Sequence, residues 1–221
     1  MIQHARELIS MRFDTPDQAF LTRNLSQRIG SVLAAVAFTL RLSPNAVTMI
    51  GLVCMLLGAW TYAACSGLVG ALLPAVLWQL GFGFDCADGQ LARATQRQSA
   101  FGGWLDVACD HIRQGAICLA LTILLPTAMG YVSAVILLAG LSVYLHTVMA
   151  IKIAAPPPLQ LSQGANVVRF ALREFLDTPM FLAALCIFRT WPMLLMIYCA
   201  VFGLLLLARA LSLARFRLSQ A

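Results

Sequence analysis

Two long stretches of the chain, 42–84 and 114–151, contain no Asp, Glu, Lys or Arg. A helix that crosses a bilayer takes about 20 predominantly apolar residues, so each stretch holds two helices that cross and return. The pattern predicts spans near 43–65, 68–94, 102–125 and 130–153. A weaker pair follows at 170–188 and 192–209, divided by Arg189, Thr190, Trp191 and Pro192. The expected fold is all-α, a polytopic membrane protein with six transmembrane helices. Local signals agree with these limits. Ser43 ahead of Pro44 is an N-cap followed by a first-turn proline, and Pro156, Pro157 and Pro158 cannot extend the fourth helix.

Ahead of the first span, Phe20, Leu21, Leu25, Ile29 and Val32 recur at helical spacing, with Arg23, Asn24, Gln27 and Arg28 between them. This predicts an N-terminal amphipathic helix in the membrane interface; a short helix capping the bundle is the alternative. Residues 1–42 then form an N-terminal cytoplasmic and interfacial segment, 43–213 a six-helix transmembrane catalytic domain, and 214–221 a cytoplasmic tail. No internal repeat is visible. The first 30 residues lack the short apolar core of a signal peptide.

Composition narrows the class. The 221 residues are 61% hydrophobic and 11% charged, against about a quarter charged in soluble domains. Of the 15 Lys and Arg, all except Arg189 fall in the N-terminal segment, the 85–113 region, the 152–173 loop or the 209–217 tail. Cations near span ends resist translocation, so both termini and these loops are expected on the cytoplasmic side of an integral (in a bacterium, inner or plasma) membrane. The net charge of +6 reads as topology and attraction to anionic membrane lipids; no nucleic-acid partner is expected. The seven cysteines show no CxxC spacing and are expected as reduced thiols.

Chemistry concentrates in four of the nine acidic residues: Asp85, Asp88, Asp106 and Asp110. Carboxylates at the ends of membrane spans are costly and mark function. Asp85 and Asp88 are three apart, Asp106 and Asp110 four apart, so each pair shares a helix face. A short polar loop, Thr95–Ser99, makes the two helices antiparallel neighbours. All four carboxylates therefore face one cavity. Such a group of hard oxygen ligands suits Mg²⁺ or Mn²⁺, and two such ions would form the clamp used for displacement at phosphorus. The plainer alternative is surface pairing with Arg93, Arg97 and Arg113.

These residues carry a resemblance. Asp85, Asp88, Gly89, Ala92, Arg93, Gly102, Asp106 and Asp110, with the gaps between them, are similar to the signature of the CDP-alcohol phosphotransferase family. The six-span plan, the interfacial helix and Pro44-Asn45 at the first span also resemble it. The resemblance implies two divalent cations, Mg²⁺ or Mn²⁺, held by Asp85, Asp88, Asp106 and Asp110, with Asp110 also acting as general base. It further implies that a substituted phosphate passes from a CDP-linked donor, such as CDP-diacylglycerol, to an alcohol or lipid acceptor, releasing CMP in phospholipid biosynthesis. A homodimer is part of the same expectation.

Arg93, one turn beyond the first pair, is placed to bind the diphosphate. Gly89, Ala92 and Gly102 are small enough for a nucleotide to approach the backbone, and equally suit close helix packing. Asn45 and Thr48 are expected, by resemblance, to contact the nucleotide, although Asn45 also suits a helix cap. His111 points about 100° away from Asp110 and is at best an accessory. Arg169 and Arg173 share a face and suit either a phosphorylated acceptor or snorkelling to the interface. Glu174 and Asp177 need partners, and Arg173 is available. The sequence around Asp106 and Asp110 lacks the Asp-Pro and Asp-Lys pattern of phosphatidylglycerophosphate synthases and lies nearer inositol-type members. A cation transporter or channel is the competing class, disfavoured because the aspartates cluster at one face of the membrane, not at its midplane.

Overall fold

The computed structural model describes residues 19–152 and 174–218; Pro156 to Pro158, Arg169, Arg173 and the first 18 residues lie outside them. The described residues are helical, with no strand. A helix begins at Phe20, passes through a π-helical turn over Thr22–Ser26, and continues as α1 (Gln27–Thr39). Then follow α2 (Pro44–Ala64), α3 (Val69–Ala94), α4 (Ala100–Leu124), α5 (Ala128–Lys152), α6 (Thr178–Phe188) and α7 (Pro192–Leu218).

Five of these, α2, α3, α4, α5 and α7, are long and apolar enough to cross a membrane. The fifth expected span, 170–188, differs among the described residues. Thr178–Phe188 has only 11 residues, about 16 Å at 1.5 Å per residue, roughly half the thickness of the hydrocarbon core. Leu176 and Asp177 interrupt the helix before it, because Pro179 has no N–H to donate to the carbonyl four residues back and its ring crowds that carbonyl.

The chain forms two compact units. Among the described residues, the first comprises 19–113 with 177–187, the second 114–152 and 174–176 with 188–218. In the first unit α3 packs against both α1 and α2. Small residues make those approaches close, as is usual where lipid supplies no hydrophobic drive between helices. A Cβ added at Gly30 of α1 would lie 2.7 Å from Cys86 Cβ, and one at Gly58 of α2 would lie 2.4 Å from the Trp78 ring. Trp78 is fully buried there and donates its indole N–H to Met55 O at 3.2 Å.

The amphipathic pattern at the N-terminus resolves into two faces. Gly30, Ser31, Ala34, Ala35 and Ala37 are buried, whereas Phe20, Leu25, Val32 and Val36 stay exposed. The start of this helix is clipped to the first turn of α6. The Asp177 carboxylate accepts from Thr22 N at 3.2 Å and from Thr22 Oγ1 at 2.5 Å. Asp177 is thus buried against Thr22, the partner that an apolar environment demands. In the second unit α5 packs on α7, and a Cβ at Gly140 would lie 2.3 Å from Gly203 O.

Candidate active site

Two chain reversals in the first unit place the site. At the end of α1 the chain turns through Arg41, at φ 57°, with Leu42 N–H donating to Ala37 O at 2.9 Å. At the end of α3 it turns the same way through Gln96, at φ 55°, with Arg97 N–H donating to Ala92 O at 2.9 Å. Both are Schellman endings that use a left-handed residue to satisfy the last carbonyls. Ser43 then caps α2, accepting from Ala46 N–H at 3.2 Å, and Ser99 caps α4, accepting from Gly102 N–H at 3.0 Å. These short capped connections bring the starts of α2 and α4 to the end of α3.

Between them lies a cavity of about 250 Å³, lined by Asn45, Thr48, Asp88, Gly89, Ala92, Arg93, Gly102 and Asp106, with Arg97, Gln98 and Ser99 from the loop. Every residue expected at the nucleotide therefore borders one space, together with two of the four aspartates. The glycines leave it open. A Cβ at Gly102 would sit 3.2 Å from Asn45 Oδ1, and one at Gly89 would sit 3.2 Å from the Arg93 guanidinium, which folds back over it.

The aspartates divide into two settings. Asp85, Asp106 and Asp110 can each present a carboxylate oxygen with all three within 4.8 Å of one another. That spacing fits one hard cation, whose oxygen ligands at about 2.1–2.4 Å stand no further apart than this. Asp88 is turned differently. It is buried, and Thr48 Oγ1 donates to its Oδ2 at 2.5 Å. Pro44 O, 3.2 Å from the same hydroxyl, is the other acceptor within its reach, and the one proton of Thr48 links the carboxylate to the first turns of α2. His111 lies outside the acidic group, with its Nδ1 2.8 Å from Val107 O.

One participant lay outside the sequence-derived site. Arg113, one turn beyond Asp110 on α4, donates from Nη1 to Asp85 Oδ1 at 2.8 Å and pairs through Nη2 with Asp110 Oδ1. Its side chain is 14% exposed. The sequence offered Arg113 only as a surface counterion, because its rotation toward α3 depends on how the two helices cross. The signal available was a lone cation at i+3 from an aspartate inside an apolar span.

The described residues thus hold helices apolar enough to cross a membrane and an acidic group beside a cavity. The family model for CDP-alcohol phosphatidyltransferase matches residues 41–205, and the chain belongs to that family. Among curated relatives it is 35% identical over 91 residues to archaetidylinositol phosphate synthase of Pyrococcus horikoshii, covering 41% of this chain and 44% of the relative. It is 36% identical over 100 residues to phosphatidylinositol phosphate synthase of Mycobacterium marinum, covering 44% and 41%. These matches span less than half the length of either relative. The crystal structure of the Mycobacterium tuberculosis phosphatidylinositol phosphate synthase with CDP-DAG bound has the same fold, with a TM-score of 0.58 at 19% identity over 85% of this chain and 92% of that one. None of these relatives is a cation transporter.

Proposed function

We propose that this chain is an integral membrane transferase that moves a substituted phosphate from a CDP-linked donor, such as CDP-diacylglycerol, to an alcohol acceptor in phospholipid biosynthesis, with release of CMP. The observation that carries this reading is the single cavity bordered by Asn45, Thr48, Asp88, Gly89, Ala92, Arg93, Gly102 and Asp106 directly beside the acidic group. Donor chemistry follows from the family. An inositol phosphate acceptor is supported by the names of the two inositol-type relatives.

Asp85, Asp106 and Asp110, with Asp88 from the cavity side, would hold two divalent cations, Mg²⁺ or Mn²⁺. When bound, such ions neutralise the charge that gathers on the phosphates during transfer. The rest falls to side chains. Arg93 binds the diphosphate of the donor through charge-assisted hydrogen bonds. Gly89, Ala92 and Gly102 let the nucleotide lie against helix backbone, with Asn45 and Thr48 at its edge. The acceptor hydroxyl attacks the β-phosphorus, its proton passes to Asp110, and the bond to the CMP oxygen breaks. No covalent enzyme intermediate is needed. The cation distribution supports a cytoplasmic site and cytoplasmic termini, and the exposed apolar face of α1 supports an interfacial position for that helix.

The test is the reverse exchange. Membranes holding the protein, supplied with Mg²⁺, labelled CMP and phospholipid, should form a labelled CDP-linked lipid, and Asp110→Asn should abolish it. Binding of CDP-linked donors without turnover across a broad acceptor panel would sink the reading.

A further inference from the structure

The ion pairs of Arg113 reach further than helix packing. An arginine in the interior of an apolar span is expensive and needs a reason. Its two terminal nitrogens go to carboxylates on different helices, Asp85 on α3 and Asp110 on α4, both members of the acidic group. The remaining space beside Asp85 and Arg113 is a cavity of about 10 Å³, room for no more than a single water. The guanidinium therefore fills the inner side of the acidic group. A carboxylate has two oxygens, so an ion pair through Oδ1 does not by itself end its service as a cation ligand.

We propose that Arg113 is a built-in counter-cation of the acidic group: a positioning residue that fixes Asp85 and Asp110 across the two helices and weakens the hold of the group on a divalent ion. Three carboxylates carry three negative charges, and a bonded guanidinium offsets one of them permanently. The site then assembles without an ion and exchanges the ion more readily. This inference rests on the metal-holding role assigned to the aspartates above.

The test is a Mn²⁺ titration of the detergent-solubilised full chain, read by electron paramagnetic resonance, with thermal melting as the check on folding. Arg113→Gln keeps a donor and removes the charge; it should bind Mn²⁺ roughly tenfold more tightly or better, the scale of a unit charge acting on a divalent ion across a few ångströms of protein. Arg113→Lys keeps the charge and should stay within about threefold of the wild type. A folded Arg113→Gln that binds Mn²⁺ equally or more weakly overturns the proposal. If that variant does not fold, Arg113→Leu serves in its place, and if neither folds, loss of Mn²⁺ binding in Arg113→Lys overturns the proposal. A wild-type protein that binds no Mn²⁺ overturns the metal-holding role of the aspartates, and this inference with it.

Discussion

Thr48 and Asp88 form a buried pair at 2.5 Å, and its loss separates two effects. Thr48→Val keeps the volume and strands the carboxylate. Hydrogen bonds to charged groups are worth about 1.5–3 kcal/mol, so a lower melting temperature and weaker CDP binding by calorimetry are both expected. Gly102→Val should instead block the nucleotide, since the added carbons enter the space facing Asn45 and also press on the capping Ser99 hydroxyl at 3.1 Å; its melting temperature should fall only slightly while CDP binding is lost. At this scale the sequence was legible where cost made it so. Carboxylates in a span have few reasons to exist, and spacing of three or four sets each pair on one face. The turn of Asp88 toward Thr48 and the reach of Arg113 to Asp85 were not legible, because each depends on the rotation of one helix against another. Asp177 repeats the point. Its need for a partner was evident, but nothing local pointed to Thr22, 155 positions away, which donates to it.

Two helix starts were read closely because punctuation is local: Ser43 with Pro44, and Pro192, mark starts whatever the tertiary structure does, whereas the last helix runs to Leu218, past the expected 209. Helix faces were harder. In lipid a large apolar side chain is as comfortable outside as inside, so the buried face of α1 is its glycine, serine and alanines, and Val32 and Val36 stay exposed. Small residues at a crossing are the better guide. At the α5–α7 contact backbone meets backbone, and a Cβ at Gly203 would lie 2.5 Å from Ile136 O. Gly203→Leu should force the two backbones apart, with a melting temperature lowered by several degrees and loss of monodispersity in gel filtration. The ending of α3 predicts the opposite sign. Gln96 sits at φ 55°, where glycine carries no side-chain strain, so Gln96→Gly should raise stability by up to about 1 kcal/mol.

For the whole molecule, the orientation proposed from cation placement, with the Thr95–Ser99 loop in the cytoplasm and the turn near Ser66 on the far side, can be tested directly. Gln98→Cys should react with a membrane-impermeant thiol reagent in inside-out vesicles and not in right-side-out ones, and Ser66→Cys should show the reverse, each in a background lacking reactive native thiols. The expected count of six spans depended on reading 170–188 as one helix, and among the described residues that stretch is interrupted at Leu176 and Asp177, just ahead of Pro179. The acidic group is unusual in being so compact along the chain. Asp85, Asp88, Asp106, Asp110 and Arg113 belong to one helical hairpin, and the residues of α2 beside it come earlier still. Contacts of such short range form quickly. By the time Arg113 leaves the ribosome, every group bordering the cavity has been made, so the hairpin enters the bilayer with its aspartates and their counterion together. Replacing Arg113 by a neutral residue thus burdens biogenesis as well as the finished protein, and the amount of chain inserted per transcript reports that burden.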